Sequence, residues 1–342
     1  MKRPTRTIIF IVIFSCFAGS PFFVPHALGQ LEHTAKLIEG AKKEGRLVWY
    51  TNLNVKDARL ILDAFERRYP FIKAEFFRAG GEQVINRILT EARAGQWRFD
   101  VVTAGHPGLV VHHKLTAPYL SPEAKAYHPD FKGKDGLWTA LTLQYYVLGY
   151  NTKLVPSKEA PKSWENLLDP RWKGRIAIDR EDYYWYATLV EAWGKERTER
   201  YLRALATQEI QWRNGHTLIT QLMAAGEFAV GLVYARLIET MKKNGAELEW
   251  VKTTDPIVVY PNGISYSSKP NHPNAGRLFV DFVLSKEFQE FLTSTDRVSA
   301  RSDVRPLIPD LDHRQLRLKT VPEDVAVRYN EYLQEFKNIF GL

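Results

Sequence analysis

Cysteine is almost missing from this chain: Cys16 is the only one in 342 residues. A disulfide scaffold within one molecule is therefore excluded, although an oxidising compartment remains compatible. Three signatures of chemistry are also missing. There is no Gly-x-Ser-x-Gly nucleophile elbow, no Gly-x-x-x-x-Gly-Lys-Ser/Thr phosphate loop and no His-Glu-x-x-His pair. His112 and His113 are adjacent, which is not the spacing that places two ligands on one helix face. Carboxylate pairs such as Glu181-Asp182 have no such motif beside them. An enzyme is not expected, and neither is a cofactor or resident metal. The chain has no internal repeat and no low-complexity tract. Lys and Arg outnumber Asp and Glu by 47 to 39, for a net charge of +8. They are dispersed, with no basic helix or aromatic-basic platform, so nucleic acid is not expected as a partner. The positive excess suits anionic solutes.

What is present begins with a targeting segment over residues 1–29. Lys2, Arg3 and Arg6 form a positive start, an apolar run follows from Thr7, and Ala27-Leu28-Gly29 offers a small-x-small cleavage site. Gly19, Ser20, Pro21 and Pro25 interrupt the run before it reaches the ~20 apolar residues of a spanning helix. Export as a soluble protein is expected, with lipid anchoring at Cys16 as the lesser alternative, because Phe14 spoils the lipoprotein box at residues 13–16. The remaining length exceeds one typical core and suggests two lobes.

The periodicity alternates. Residues 46–50, 73–77 and 99–103 read as strands. Between them lie helical patterns from Val55 (Ala58, Ile61, Leu62 and Phe65 on one face) and from Gly80-Gly81 (Val84, Ile85, Ile88, Leu89, Ala92). This order implies a parallel sheet covered by helices. The middle repeats the logic, with extended runs at 144–150, 175–178, 228–234, 250–251 and 257–260. Helices are expected at 184–193, 217–225, 274–284 and 286–292. A short helix after residue 163, capped by Ser163 and stopped by Asp169-Pro170, is expected to lead into the 175–178 strand. Beyond Asp303 the chain is broken by proline and then helical.

Three stretches carry a family likeness. Residues 160–178 read APKSWENLLDPRWKGRIAI, residues 272–289 read HPNAGRLFVDFVLSKEFQ, and residues 78–84 read RAGGEQV, leading to Glu91 and then Phe99-Asp-Val-Val102. Together they resemble the bacterial extracellular solute-binding proteins of ABC importers, within them the ferric-iron-type group (family 1). The resemblance implies a type II periplasmic-binding-protein fold: α/β, two-lobed, each lobe a mainly parallel sheet covered by helices, with two hinge crossings. One lobe would hold residues 31–143 and about 261–302, the other 144–260. The crossings would lie near 141–150 and 256–264, and residues 303–342 would form a helical tail on either lobe. It further implies a periplasmic monomer that captures a small-molecule solute and hands it to an inner-membrane ABC permease. The alternatives are a ferric-iron-binding protein or a ligand-binding subunit for a membrane sensor kinase.

Candidate ligand groups sit where strands end and helices begin, since backbone N–H groups face outward there. In the first lobe these are Thr51, Asn52, Gly80, Gly81 and Gly105, with His106 a turn residue beside them. In the middle lobe they are Arg180, Tyr183 and Tyr184 after the 175–178 strand, and Tyr234 and Arg236 after the 228–234 strand. Arg236 suits a bidentate grip on a carboxylate or phosphonate. Each position also has an ordinary structural explanation as turn chemistry, helix capping, aromatic packing or a surface charge. In the ferric relatives that the resemblance implies, two adjacent tyrosines follow the strand equivalent to 231–233. Here the chain reads Tyr234-Ala-Arg, so the adjacent pair is missing and a cation, Arg236, stands nearby, which is unfavourable beside a trivalent metal. An organic anion, a carboxylate or phosphonate, is the favoured solute.

Overall fold

A computed structural model describes residues 24–105 and 107–342. Most of the targeting segment, Cys16 included, lies outside the described residues, as does His106. The chain opens with α1 (Val24–Glu44), β1 (Arg46–Thr51), α2 (Val55–Arg68), β2 (Lys73–Arg78), α3 (Gly81–Arg93), β3 (Val101–Thr103) and α4 (Gly108–His112). The long strand β4 (Thr139–Asn151) leads to β5 (Ile176–Asp179), α5 (Tyr183–Trp193), α6 (Lys195–Ala206), β6 (Gln211–Arg213), α7 (His216–Ala224), β7 (Val230–Tyr234), α8 (Ala235–Lys243) and β8 (Leu248–Trp250). A second long strand, β9 (Ile257–Tyr266), is followed by α9 (Pro273–Leu284), α10 (Lys286–Thr293), β10 (Leu318–Thr320) and α11 (Tyr329–Phe340).

The strands hydrogen-bond in the order β2-β1-β3-β9-β4-β7-β5-β6, with β10 beside β9 and β8 beside β4. At one end β2, β1 and β3 are parallel, and at the other β7, β5 and β6 are parallel. The strands β9 and β4 run antiparallel to each other and to their outer neighbours, and so join the two parallel sets. Each set is thus a βαβ sheet, and the chain passes between them along β4 and β9.

Local chemistry explains the element ends. Asn54 Oδ1 accepts the Asp57 N–H at 2.9 Å and caps α2, whose buried face is Ala58, Ile61, Leu62 and Phe65. Pro273 begins α9, where its missing N–H has no helical partner to lose. The stretch after Ser163 differs from the expected helix. It forms two single 3₁₀ turns, Glu165–Leu168 and Pro170–Trp172, and Ser163 caps neither. Its backbone N–H donates instead to Asn166 Oδ1, so the side chain of Asn166 curls the segment too tightly for an α-helix. The helices α6 and α8 and the strands β6 and β10 were not foreseen. The tail resolves its own placement: α11 packs on α5 and α6, burying Tyr332 and Phe336 in the core that holds Trp164, Trp172 and Trp185.

Candidate functional site

Where the two parallel sets meet, strand tips from both line one cleft of about 350 Å³. One wall is Asn52, Gly80, Gly81, Gln83, Ile85, Ala104 and Leu109. Facing it are Glu181, Tyr183, Tyr184 and Tyr260, with Ala326 and Tyr329 from the tail. The first wall is built from loops at the carboxyl ends of β1, β2 and β3, the position that open parallel sheets favour for ligands.

Gly80 and Gly81 start α3 at this wall. The first-turn N–H groups of a helix lack intrahelical acceptors, and the helix dipole adds partial positive charge there. Gly80 N–H donates to Gln83 Oε1 at 3.1 Å. A Cβ on Gly81 would stand 2.9 Å from the Ala104 carbonyl oxygen, so only glycine lets α3 approach the β3 tip this closely. Gly105, at φ +81°, has the hydroxyl of Tyr260 directly over it, 2.3 Å from where a Cβ would be. It therefore supports Tyr260 and is not itself part of the lining.

The opposite wall is aromatic. Tyr183 and Tyr184 have ring centroids 4.3 Å apart, Tyr184 and Tyr260 5.0 Å, and Tyr183 and Tyr329 5.3 Å. Behind it the strand-tip amides are already taken by carboxylates. Asp179 Oδ1 accepts Glu181 N–H at 3.0 Å, Asp179 Oδ2 accepts Gly215 N–H at 2.5 Å, and Asp182 Oδ2 accepts Asp179 N–H at 3.2 Å. This half fills its own anion positions with aspartate.

Asp182 also pairs with His216. Nε2 lies 3.1 Å from Asp182 Oδ1, while Nδ1 lies 3.3 Å from the Leu232 carbonyl. Both ring nitrogens face acceptors, so the imidazolium is the form that satisfies them. Burial alone would lower the His216 pKa, but the carboxylates of Asp182 and Asp179 outweigh it and raise it. Burial pushes the Asp182 carboxyl up to about 6. A raised histidine pKa stabilises the fold fully below its unfolded value of 6.5, and the contribution is lost as pH climbs through the folded value. Following the His216 ring by NMR should show titration above 6.5. In Asp182→Asn it should fall below 6.5; an unmoved titration would mean the aspartate is not its cause.

Four of the other anticipated groups lie away from this lining. The Thr51 hydroxyl is buried and accepts the Leu53 N–H at 3.1 Å, so it is used in a turn. Arg180 is exposed to solvent. Tyr234 packs against His216, with centroids 4.1 Å apart, and donates to Tyr146 Oη at 3.4 Å. Arg236 falls in the first turn of α8, half-buried, with burial lowering its pKa. Of the ten anticipated residues, Asn52, Gly80, Gly81, Tyr183 and Tyr184 come together at the lining. Tyr260, Tyr329, Gln83 and Glu181 were not anticipated there. No group of three or more His, Cys, Asp or Glu arranged to hold a metal occurs among the described residues.

A family profile described as bacterial extracellular solute-binding protein matches residues 107–321. A Fe(3+)-binding periplasmic protein of Serratia marcescens is 26% identical over 279 residues, 74% of this chain and 81% of that one. A periplasmic protein of Salmonella typhi named for 2-aminoethylphosphonate binding is 25% identical, over 69% of this chain and 72% of its own length. The crystal structure of iron-bound HitA from Pseudomonas aeruginosa superposes with a TM-score of 0.77 at 21% identity, covering 87% of this chain and 99% of that one. This last likeness fixes the architecture as that of the two-lobed periplasmic binding proteins.

Proposed function

The chain belongs to the bacterial extracellular solute-binding proteins, and on that premise we propose that it captures a small organic anion, a carboxylate or phosphonate, for an ABC importer. It is the periplasmic solute-binding component of that importer and breaks no bond in its solute. The observation that carries the choice of an anion is the glycine-started helix α3 at the cleft wall, whose open first turn is a seat for negative charge. The cleft volume of about 350 Å³ suits a molecule of several heavy atoms better than a bare ion. Tyr183 and Tyr184 add phenolic donors from the other wall. Residues 31–143 with 261–302 would move against 144–260 and the tail, hinged on β4 and β9. Solute touching both walls binds the shut form better and so shifts the population toward it. The permease would read that shut form.

Ferric ion is the second reading, because four tyrosines (Tyr183, Tyr184, Tyr260 and Tyr329) line the same cleft and a relative is named for Fe(3+). A thermal-shift screen of the mature protein against carboxylates, phosphonates and ferric citrate separates the two, since a tight ligand raises the melting point by mass action. A carboxylate or phosphonate should raise it, and ferric loading should leave the protein colourless. A pink or orange tyrosinate-to-iron band would reverse the order.

A further inference from the structure

Basic residues that are scattered in the sequence gather at the end of the first parallel set that faces away from the cleft. Helix α3 starts at the cleft with Gly81 and runs 13 residues, about 20 Å, to Arg93. The turn after it brings Arg98 to the amino end of β3. Strand β9 runs antiparallel to β3, with Tyr266 opposite Val101, so the loop beyond β9 returns Lys269 to that same end. The Lys269 ammonium lies 5.2 Å from the Trp97 ring centre, and Asn271 Nδ2 donates to the Trp97 carbonyl. Ser268 N–H donates to the Leu115 carbonyl at 3.0 Å, which adds Lys114. His112 and His113 stand beside it at the end of α4, with ring centroids 5.1 Å apart. Burial lowers the His113 pKa, and the charges of His112 and Arg93 lower it further, so Arg93 is close by. All six of these basic side chains are exposed. Residues 92–99, 107–118 and 267–274 contain no acidic residue. The carboxylates nearest to them are already taken: Glu91 by Arg87 and Tyr50, Glu75 by Arg46 and Lys73, and the buried Asp100 by His272.

We propose that this basic pole docks on an anionic phospholipid surface, the periplasmic face of the inner membrane. The cations come from three segments on an exposed surface, which suits a sheet of headgroup charge better than one small anion. Trp97, half-buried against Lys269, supplies the amphipathic ring that membrane interfaces favour. A permease that tells the shut form from the open one must touch both parallel sets. This pole belongs to one set and stands away from the cleft, so an acidic face of the permease fits it less well. Each Lys or Arg that reaches an anionic surface raises the binding constant roughly fivefold. Arg93, Arg98, Lys114 and Lys269 together give a reversible hold that is the same for empty and loaded protein. The chain thus searches for its importer along a surface and not through the whole compartment.

Sedimentation of the mature protein with vesicles of phosphatidylglycerol or of phosphatidylcholine tests this. The protein should pellet with the first and not with the second, and rising salt should release it. Combining Arg93→Gln, Arg98→Gln, Lys114→Gln and Lys269→Gln should weaken the binding roughly 10-fold or more. A control removes equal charge from exposed positions of the other set: Lys153→Gln, Lys158→Gln, Lys162→Gln and Arg200→Gln. It should lose less than about 3-fold. Both variants change exposed side chains, so their melting temperatures should match the wild type. Equal losses in the two variants would reduce the attraction to net charge and overturn the docking pole. Failure to pellet with phosphatidylglycerol at low salt overturns it as well, and capture on polyglutamate in that case would assign the pole to an acidic protein. Either result leaves the solute reading untouched, because none of the four cations lines the cleft.

Discussion

Trp164→Ala is expected to destabilise the protein by about 3–5 kcal/mol, the usual range for emptying a buried aromatic site. Trp164 has no exposed surface, and its ring lies 5.3 Å from that of Trp185 on α5. Its indole N–H donates to the Pro256 carbonyl at 2.9 Å, at the entry to β9. Its own carbonyl accepts the Tyr201 hydroxyl of α6, also at 2.9 Å. The side chain therefore ties the segment before β5 to α5 and to a strand that joins the two parallel sets, while the backbone carbonyl ties it to α6. Removing it opens a cavity and leaves a buried carbonyl unpaired, two separate penalties. The melting temperature should fall by on the order of 10 °C. Trp164→Phe, which keeps the packing and loses the hydrogen bond, should lose clearly less. Urea unfolding checks both, and a loss under about 1 kcal/mol for the alanine variant would show that the site collapses around it.

That position lies in residues 160–178, the stretch with the strongest family likeness, and its role there is scaffolding. Trp164 and Trp172 are buried, and the strand they anchor delivers Asp179 and the start of α5 to the cleft. Much of the fold was legible for a physical reason: period-3.6 and period-2 patterns alternate cleanly through residues 46–103, and each apolar face has one layer to bury against. The single 3₁₀ turns after Ser163 were not legible, because Asn166 bonds back to the chain before it and local propensity does not report that. The first wall of the site could be read because Asn52, Gly80 and Gly81 follow strands directly. Of the second, Tyr183 and Tyr184 could be read because they follow the 175–178 strand, and Tyr260 and Tyr329 could not. Tyr183, Tyr260 and Tyr329 meet only after β9 and the tail have folded back, and no spacing in the sequence records it. Arg236 shows the opposite failure. It also follows a strand, but α8 begins at Ala235 and winds its side chain away from the cleft lining. In the run Asp179-Arg180-Glu181-Asp182, hydrogen bonds from backbone N–H groups occupy both aspartates, whereas Glu181 between them reaches the cleft.

Gly81→Ala should separate binding from stability more sharply than any other single change. In the first turn of a helix alanine is intrinsically better than glycine, by up to about 1 kcal/mol. Against this, its methyl carbon, held rigidly on the backbone, would meet the Ala104 carbonyl oxygen at 2.9 Å, and that oxygen belongs to backbone with little freedom to move aside. The two effects are of similar size and opposite sign, so the unfolding free energy should change by less than about 1 kcal/mol. The relief of the contact is the important event. The start of α3 must shift by a few tenths of an ångström away from β3, carrying its first-turn N–H groups with it. A charge-assisted hydrogen bond to a bound anion is worth about 1.5–3 kcal/mol, and it weakens steeply once its geometry is lost. Affinity for the anionic end of the solute should therefore drop roughly 10- to 100-fold with the melting temperature nearly unchanged. Gln83→Ala serves as the control on the same helix: it removes the acceptor of Gly80 N–H without displacing backbone, so it should hold affinity or raise it slightly by freeing that donor. Should Gly81→Ala bind as the wild type does, the helix start is not where the anion sits, and the amides of α3 would have to be replaced by a different seat in the same cleft.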